Sequence, residues 1–224
     1  MSIDPRQRDL WLYELGLNGF VIFRNFLPID LLEGMKEQLR PMLDSETARQ
    51  DAGDRTGLRG MKRMSFDIQW YIDKLKGPLD DDRFRRNSVV EELVDAVLGT
   101  WRYGVTKVEC PLKGSDFMNW HPDVPSETAV DPALAVRPTR LTFNVPLVDI
   151  NDSNGPMEII PGSHRLRHDG AEKFIYSIPQ LHSVKILMRR GDGLLRNGNL
   201  LHRGTPNLTD EPRILLDQTY RSVD

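Results

Sequence analysis

Apolar residues in the first hundred positions recur three and four residues apart, which is the spacing of amphipathic helices. The predicted helices are residues 6–15, 29–43 and 88–99. Asn87 or Ser88 supplies the cap of the last helix, because both side chains accept hydrogen bonds from exposed backbone N–H groups. The β-branched and aromatic run at 20–23 predicts one short strand. We therefore expect an N-terminal part that is largely helical.

From Trp101 onward the pattern changes to short β-rich runs that are punctuated by proline and glycine. The predicted strands are residues 101–110, 117–121, 140–149, 156–160, 183–188, 192–196 and 213–220. Several short strands with turn signals between them favour a sandwich or a barrel. We expect a mainly β fold with flanking helices, in one domain over 1–224. Residues 1–100 would pack on a β core at 101–220.

Residues 44–63 contain three glycines and few apolar positions, which predicts a long loop. Loops of that length in a compact domain are usually lids or binding segments. The basic residues of this stretch favour two interpretations. A solvated polar loop is the simpler one, and a lid that recognises an anionic substrate is the other.

Composition and charge narrow the range of partners. The chain has 224 residues and a net charge of −3, and its Lys and Arg residues are scattered, so nucleic acid is not an expected partner. The N-terminus lacks the apolar run of a signal peptide, and no stretch has the length of a membrane span, so we expect a cytoplasmic protein without a membrane partner. Cys110 is the single cysteine, which excludes an intrachain disulfide and a thiolate-rich metal site. No pattern indicates the oligomeric state.

The segment NWHPDVP, from Asn119 to Pro125, offers the first candidate chemistry. In a strand, alternate side chains share one face, so His121 and Asp123 would point the same way, with Asn119 beside them. Pro122 suits a strand end or edge. An imidazole and a carboxylate that converge are two of the three ligands of a 2-His-1-carboxylate iron site. A pair with this spacing also occurs by chance.

His202 is the best-placed third ligand. It follows GDGLLRNGNLL, which predicts a strand, a tight turn and an apolar segment leading toward the same cavity. The other histidines have less reason to converge, since His164 lies in a turn, His168 in a charged loop and His182 at a strand start.

Arg213 lies eleven residues after His202 and opens a predicted strand. A buried arginine requires an anion, and a planar guanidinium suits a carboxylate. The alternative is an ordinary surface ion pair with Asp210 or Glu211.

Residues 121–123, 149–165 and 191–213, taken together, resemble the phytanoyl-CoA dioxygenase-like family of Fe(II)/2-oxoglutarate oxygenases. The resemblance extends over roughly residues 101–220. It implies a double-stranded β-helix, that is, a cupin-like jelly roll. It also implies iron ligands and a partner for the distal carboxylate of 2-oxoglutarate. The implied ligands are His121, Asp123 and His202, and the implied carboxylate partner is Arg213.

The resemblance further places Asn144 on a strand that lines the co-substrate, with Thr142 on the same face and, more weakly, Thr106. Hydrogen bonding within the barrel wall is the alternative role for Asn144 and Thr142. Asn119 would contact substrate or support His121. Gly204 departs from the family pattern, which has a small hydroxylated residue nearby, so one co-substrate contact would be missing.

The implied activity is a dioxygenase that uses Fe(II), 2-oxoglutarate and O₂ to hydroxylate or otherwise oxidise a C–H bond of a small molecule. Succinate and CO₂ would be released. The carboxylate of Asp123 favours hydroxylation over halogenation, because halogenases of this type lack it. One alternative is a cupin-like metal-dependent dioxygenase or isomerase that does not use 2-oxoglutarate. Another is a non-catalytic jelly roll that binds a small molecule. The substrate stays open among acyl-CoA, free acid, amino acid and natural product.

Overall fold

A computed structural model describes residues 3–53, 62–124, 138–166 and 182–223. Its α-helices are α1 (Pro5–Asn18), α2 (Ile29–Asp51), α3 (Gln69–Leu75), α4 (Asp82–Arg85) and α5 (Ser88–Leu98). Its strands are β1 (Phe20–Phe23), β2 (Arg63–Asp67), β3 (Trp101–Pro111), β4 (Arg140–Pro146), β5 (Met157–Ile159), β6 (Val184–Ile186), β7 (Gly193–Asn197), β8 (His202–Gly204) and β9 (Leu215–Ser222). All five of these helices precede β3, which agrees with the largely helical N-terminal part that the sequence predicts.

The strands form two antiparallel sheets. The larger has the order β1-β7-β4-β9-β3-β2, and the smaller has the order β6-β5-β8. Two sheets of this kind with flanking helices confirm the expected jelly-roll class. The N-terminal part contributes more to the sheet than the sequence pattern indicates, because β1 pairs with β7 and β2 pairs with β3.

Alternation along β4 separates a helix-facing side of the large sheet from a side that faces the small sheet. Leu141, Phe143 and Val145 are buried in the cluster that also contains the apolar faces of α2 and α5. Thr142 and Asn144 point to the other side, because successive strand residues alternate. A second apolar cluster, which includes Ile159 of the small sheet, lies on that side. The functional site lies between the sheets.

Helix α2 is longer than the sequence pattern indicates. Residues 44–51, which we expected to begin a loop, continue the helix to Asp51. Glu46 and Arg49 form an ion pair three residues apart there, and such polar residues extend an exposed helix without an apolar face. At the other end of the predicted loop, Arg63 begins β2. Residues 54–61 lie outside the described part of the chain.

The predicted strand at 117–121 is wrong. Met118 N donates to Gly204 O, and His121 N donates to His202 O. These two bonds are one residue out of register, so a regular ladder cannot form between them. Pro122 then removes the next donor. The segment therefore makes only an isolated bridge, between His121 and His202.

None of the helices in the described ranges is long and apolar enough to cross a membrane.

Asn87 caps α5, as the sequence predicted. Its side-chain oxygen accepts from the backbone N–H groups of Val89 and Val90, at 3.1 and 3.2 Å. We expect Asn87→Ala to lower the free energy of unfolding by about 1 kcal/mol. Thermal denaturation should show a midpoint about 2–4 °C lower. Ser88→Ala is the matched control, because Ser88 is exposed and Asn87 already supplies the cap; an equal loss in both variants would contradict this assignment.

Candidate metal centre

Both candidate histidines are held in the same way. His121 Nδ1 lies 2.8 Å from the carbonyl of Asn119, and His202 Nδ1 lies 2.9 Å from the carbonyl of Leu200. A carbonyl can only accept, so each Nδ1 carries a proton, and Nε2 is the ring nitrogen left to bind a metal ion. Burial and then Arg196 hold the pKa of His202 well below its ordinary value, which keeps that imidazole neutral.

Asp123 is oriented by a buried arginine. Arg196 Nη1 donates to Asp123 Oδ2 at 2.6 Å, and Arg140 Nη2 lies 3.8 Å from the same oxygen. Burial would raise the pKa of Asp123, but its cationic surroundings, led by Arg196, together outweigh burial, and the pKa lies well below the usual range of a carboxyl. The carboxylate is therefore ionised, and its Oδ1 faces His202 Nε2 at 3.8 Å.

The three side chains form one group of potential ligands. One donor atom from each of His121, Asp123 and His202 lies within 4.8 Å of the others. The two imidazole rings are 4.5 Å apart, centroid to centroid. Two imidazoles and one carboxylate are the donor set that suits mononuclear non-haem Fe(II) with open coordination positions. The structure thus brings together the three residues that the sequence indicated.

Asn144 and Asp217 continue the hydrogen-bond network that begins with Asp123 and Arg196. Arg196 Nε donates to Asn144 Oδ1 at 3.0 Å, and the amide nitrogen of Asn144 donates to Asp217. Burial, with Glu109 nearby, raises the pKa of Asp217 to about 7. Asn144 and Thr142 face this side of the sheet as expected, but both polar groups of Asn144 are engaged within the wall. Co-substrate contact by either residue stays a prediction.

The structure corrects the position expected for Thr106. A bulge shifts the register of β3 between Tyr103 and Thr106, and Thr106 then faces the helices. Its hydroxyl donates to Gln218 at 2.8 Å and accepts from Arg85, on the far side of the sheet from the metal centre. Asn119 is exposed, and the contact it makes with the site is the backbone carbonyl that fixes His121.

Arg213 is 3% exposed, and its guanidinium lines the same cavity as the candidate ligands. Its Nε donates to the carbonyl of Gly155 at 3.1 Å, and its Nη1 has no hydrogen-bond partner among the described residues. Burial lowers the pKa of Arg213. The surface ion pair is ruled out as an alternative, because Asp210 pairs with Lys113 and Glu211 with Lys36.

Gly155 is a glycine for geometric reasons. Its φ is +83°, and a Cβ there would lie 3.1 Å from the carbonyl oxygen of Thr205. The turn that it permits aims its own carbonyl at Arg213.

Sequence reasoning missed most of the charged wall. The cavity has a volume of about 210 Å³. Besides Asp123 and Arg213, its charged lining residues are Arg63, Lys107, Glu109, Arg140, Arg196 and Asp217. The alternation of Arg140 with Thr142 and Asn144 placed Arg140 on this face, and the same alternation along β7 could have placed Arg196 there. No local signal marked Arg63.

Arg203 holds the ligand-bearing segment against β8. Its guanidinium stacks 4.4 Å from the Phe117 ring and 4.6 Å from the Trp120 ring, while Nε donates to Glu158 at 2.6 Å. Since His121 follows Trp120 directly, these contacts support the metal centre from outside.

We expect Arg203→Ala to lower the free energy of unfolding by about 2 kcal/mol, the sum of two stacking contacts and one charge-assisted bond. Chemical denaturation measures the loss. Arg203→Lys keeps the charge but loses planar stacking, so its free energy of unfolding should lie between those of wild type and Arg203→Ala. Wild-type stability in the lysine variant would show that stacking contributes nothing.

A jelly roll with this donor set in its cavity belongs to the structural class of mononuclear non-haem iron oxygenases. Residues 15–215 match the family model of phytanoyl-CoA dioxygenase (PhyH). The chain belongs to this family.

Named relatives lie within the same class. The chain is 26% identical, over an alignment of 135 residues, to the ectoine dioxygenases of Bordetella parapertussis and Bordetella bronchiseptica. The alignment covers 50% of this chain and 43% of each relative, so the match spans less than half of their length.

Solved structures show the same fold. EctD from S. alaskensis with 2-oxoglutarate and 5-hydroxyectoine superposes with a TM-score of 0.68 at 18% identity, covering 99% of this chain and 77% of that one. The 2-oxoglutarate-dependent epimerase SnoN of nogalamycin biosynthesis superposes with a TM-score of 0.64 at 21% identity, covering 98% and 84%.

Proposed function

We propose that the protein is an Fe(II)- and 2-oxoglutarate-dependent dioxygenase that oxidises a C–H bond of a small molecule. The observation that carries the proposal is a single cavity that holds both the ligand triad and the unpartnered N–H group of Arg213. The triad suits Fe(II), and the buried guanidinium requires a carboxylate that the described residues do not supply. Family membership supports the same assignment.

Each residue has a defined task in this proposal. His121, His202 and Asp123 would hold the iron through Nε2, Nε2 and Oδ1, while Arg213 would bind and orient the distal carboxylate of 2-oxoglutarate. When bound, the iron and 2-oxoglutarate supply the oxidation of the substrate by O₂, with release of succinate and CO₂. Apolar side chains of the cavity wall exclude water from the reaction. They include Met118, Met157 and Leu215.

Hydroxylation is the proposed outcome, because the ionised Asp123 occupies the position that halogenases leave free for chloride. SnoN is described as an epimerase, so the fold also supports reactions that transfer no hydroxyl group. Product analysis distinguishes the two: hydroxylation adds one oxygen atom to the substrate, whereas epimerisation leaves its mass unchanged.

The proposed substrate is a small molecule, with neither nucleic acid nor a membrane as partner. The cytoplasmic location and the single-domain organisation over 1–224 stay predictions. Within that organisation, residues 15–215 would form the catalytic unit.

Anaerobic titration of the metal-free protein with Fe(II) and then 2-oxoglutarate tests the function. A visible charge-transfer band of the iron chelate is expected, and it should be absent in His121→Ala. Iron binding without the band would favour the metal-dependent enzyme that does not use 2-oxoglutarate. Failure to bind iron would favour the non-catalytic jelly roll.

A further inference from the structure

Arg63 is another buried arginine of the cavity, and its role, unlike those of Arg196 and Arg213, is not explained by the triad or by the proposed carboxylate partner. It begins β2 at the end of the segment expected to be a loop, yet it is only 2% exposed. Its guanidinium lines the cavity together with Arg213 and Gly204. A buried cation at such a position needs a physical reason.

The position of the Arg63 guanidinium is fixed by backbone groups. Its Nη2 donates to the carbonyl of Asp116 at 2.7 Å and to that of Thr205 at 2.8 Å. Both acceptors are neutral, so they orient the guanidinium without neutralising its charge. Among acidic groups Glu109 raises the pKa of Arg63 most, and its carboxylate already accepts from Ser65 at 2.6 Å.

Gly204 makes room for this guanidinium. A Cβ at position 204 would lie 2.8 Å from Arg63 Cζ, closer than any side chain can stand. Arg63 therefore occupies the space that a side chain at position 204 would fill. At this same position the family resemblance predicts that one co-substrate contact is missing.

Arg63 and Arg213 repel each other. Burial lowers the pKa of Arg63 to about 10, and Arg213 is the next cause. The buried guanidiniums of Arg63 and Arg213 line one cavity, and Arg213 Nη1 has no partner among the described residues, so an anion bound there would be attracted by both charges. A carboxylate has two oxygens and about four lone-pair positions that can accept hydrogen bonds.

We propose that Arg63, whose guanidinium occupies the space that Gly204 leaves open, is a second co-substrate-binding residue, which together with Arg213 holds the distal carboxylate of 2-oxoglutarate. The inference rests on the proposed function and extends it, since the pair would make the site selective for a dicarboxylate. A 2-oxo acid without the distal carboxylate would not use Arg63.

Binding of two acids to the Fe(II)-loaded full chain under anaerobic conditions tests the inference. The probes are 2-oxoglutarate and 2-oxovalerate, which has a methyl group in place of the distal carboxylate. Arg63→Met should weaken 2-oxoglutarate binding roughly 10- to 100-fold, the value of one or two charged hydrogen bonds, and should change 2-oxovalerate binding by less than about twofold. Isothermal titration gives both dissociation constants without turnover.

Two outcomes overturn the inference in distinguishable ways. If wild type binds 2-oxoglutarate and Arg63→Met binds both acids as wild type does, or loses both equally, Arg63 only braces the backbone and the proposed function stands. If wild type with bound iron binds neither acid, the proposed function fails and the inference fails with it.

Gly204→Ala provides an independent check. The added methyl group should displace the Arg63 guanidinium and weaken 2-oxoglutarate binding, with 2-oxovalerate little affected. In the double variant Arg63→Met/Gly204→Ala the loss should equal that of Arg63→Met alone, because both changes remove one interaction. Additive losses would contradict the pairing of the two residues.

Discussion

Asp123→Ala is expected to lower the affinity for Fe(II) by more than about 100-fold and to abolish turnover, because an outer-shell partner alone accounts for 10- to 100-fold. Asp123 is the one anion of the triad, and its removal also leaves Arg196 and Arg140 facing the site without their counter-charge. Two uncompensated cations would repel the incoming metal ion. The iron dissociation constant, measured anaerobically against a competing chelator, gives the loss directly.

Asp116→Ala is the matched control for this change. Asp116 precedes the same segment and is exposed, and its backbone carbonyl, which the substitution retains, is the group that contacts Arg63. Its iron affinity should equal that of wild type. Asp123→Asn keeps the shape of the side chain but removes its charge, so its iron affinity should lie between those of Asp123→Ala and Asp116→Ala. Wild-type iron affinity in Asp123→Ala would remove this residue from the ligand set.

Arg213→Met is expected to weaken 2-oxoglutarate binding by at least about 30-fold, since losing one partner of a buried charge pair costs about 2–5 kcal/mol. The same substitution should not destabilise the protein when 2-oxoglutarate is absent. There the guanidinium is buried with one carbonyl partner and an unpartnered Nη1, so an apolar side chain of similar length should leave stability unchanged or raise it. Thermal denaturation with and without 2-oxoglutarate measures both effects.

Arg213→Lys is the conservative comparison. It retains a charge but cannot form two parallel hydrogen bonds with a carboxylate, so binding should recover only partly. A large loss of stability in Arg213→Met without co-substrate would show that Arg213 is a structural residue. Unchanged 2-oxoglutarate binding in both variants would place the distal carboxylate elsewhere.

The ligand triad could be predicted because its evidence is local. His121 and Asp123 are two residues apart, and the turn before His202 delivers that side chain to the same cavity. The strand that was expected to align His121 with Asp123 does not form, yet the two still converge, because Asp123 N donates to Gly198 O at 2.8 Å beside the bridge at His121. The prediction of proximity was correct, and its structural reason was wrong.

The charged wall could not be predicted because its contacts join distant segments. Arg63 and Gly204 are far apart in sequence, and their fit depends on β2 reaching the large sheet. Thr106 was misplaced because one bulge in β3 reverses the face that every following side chain presents. Neither a register shift nor a long-range fit leaves a pattern in a single sequence.

The reciprocal backbone bonds between His121 and His202, both 3.1 Å long, have a further consequence. Main-chain bonding by itself holds these two ligands together, so we expect the pair to keep this arrangement whether or not iron is bound. Iron should then enter and leave as an ordinary ligand, unlike the ion of a zinc finger, whose binding is coupled to folding. A chelator would inactivate such a protein without unfolding it, and returning the metal would restore activity without a refolding step.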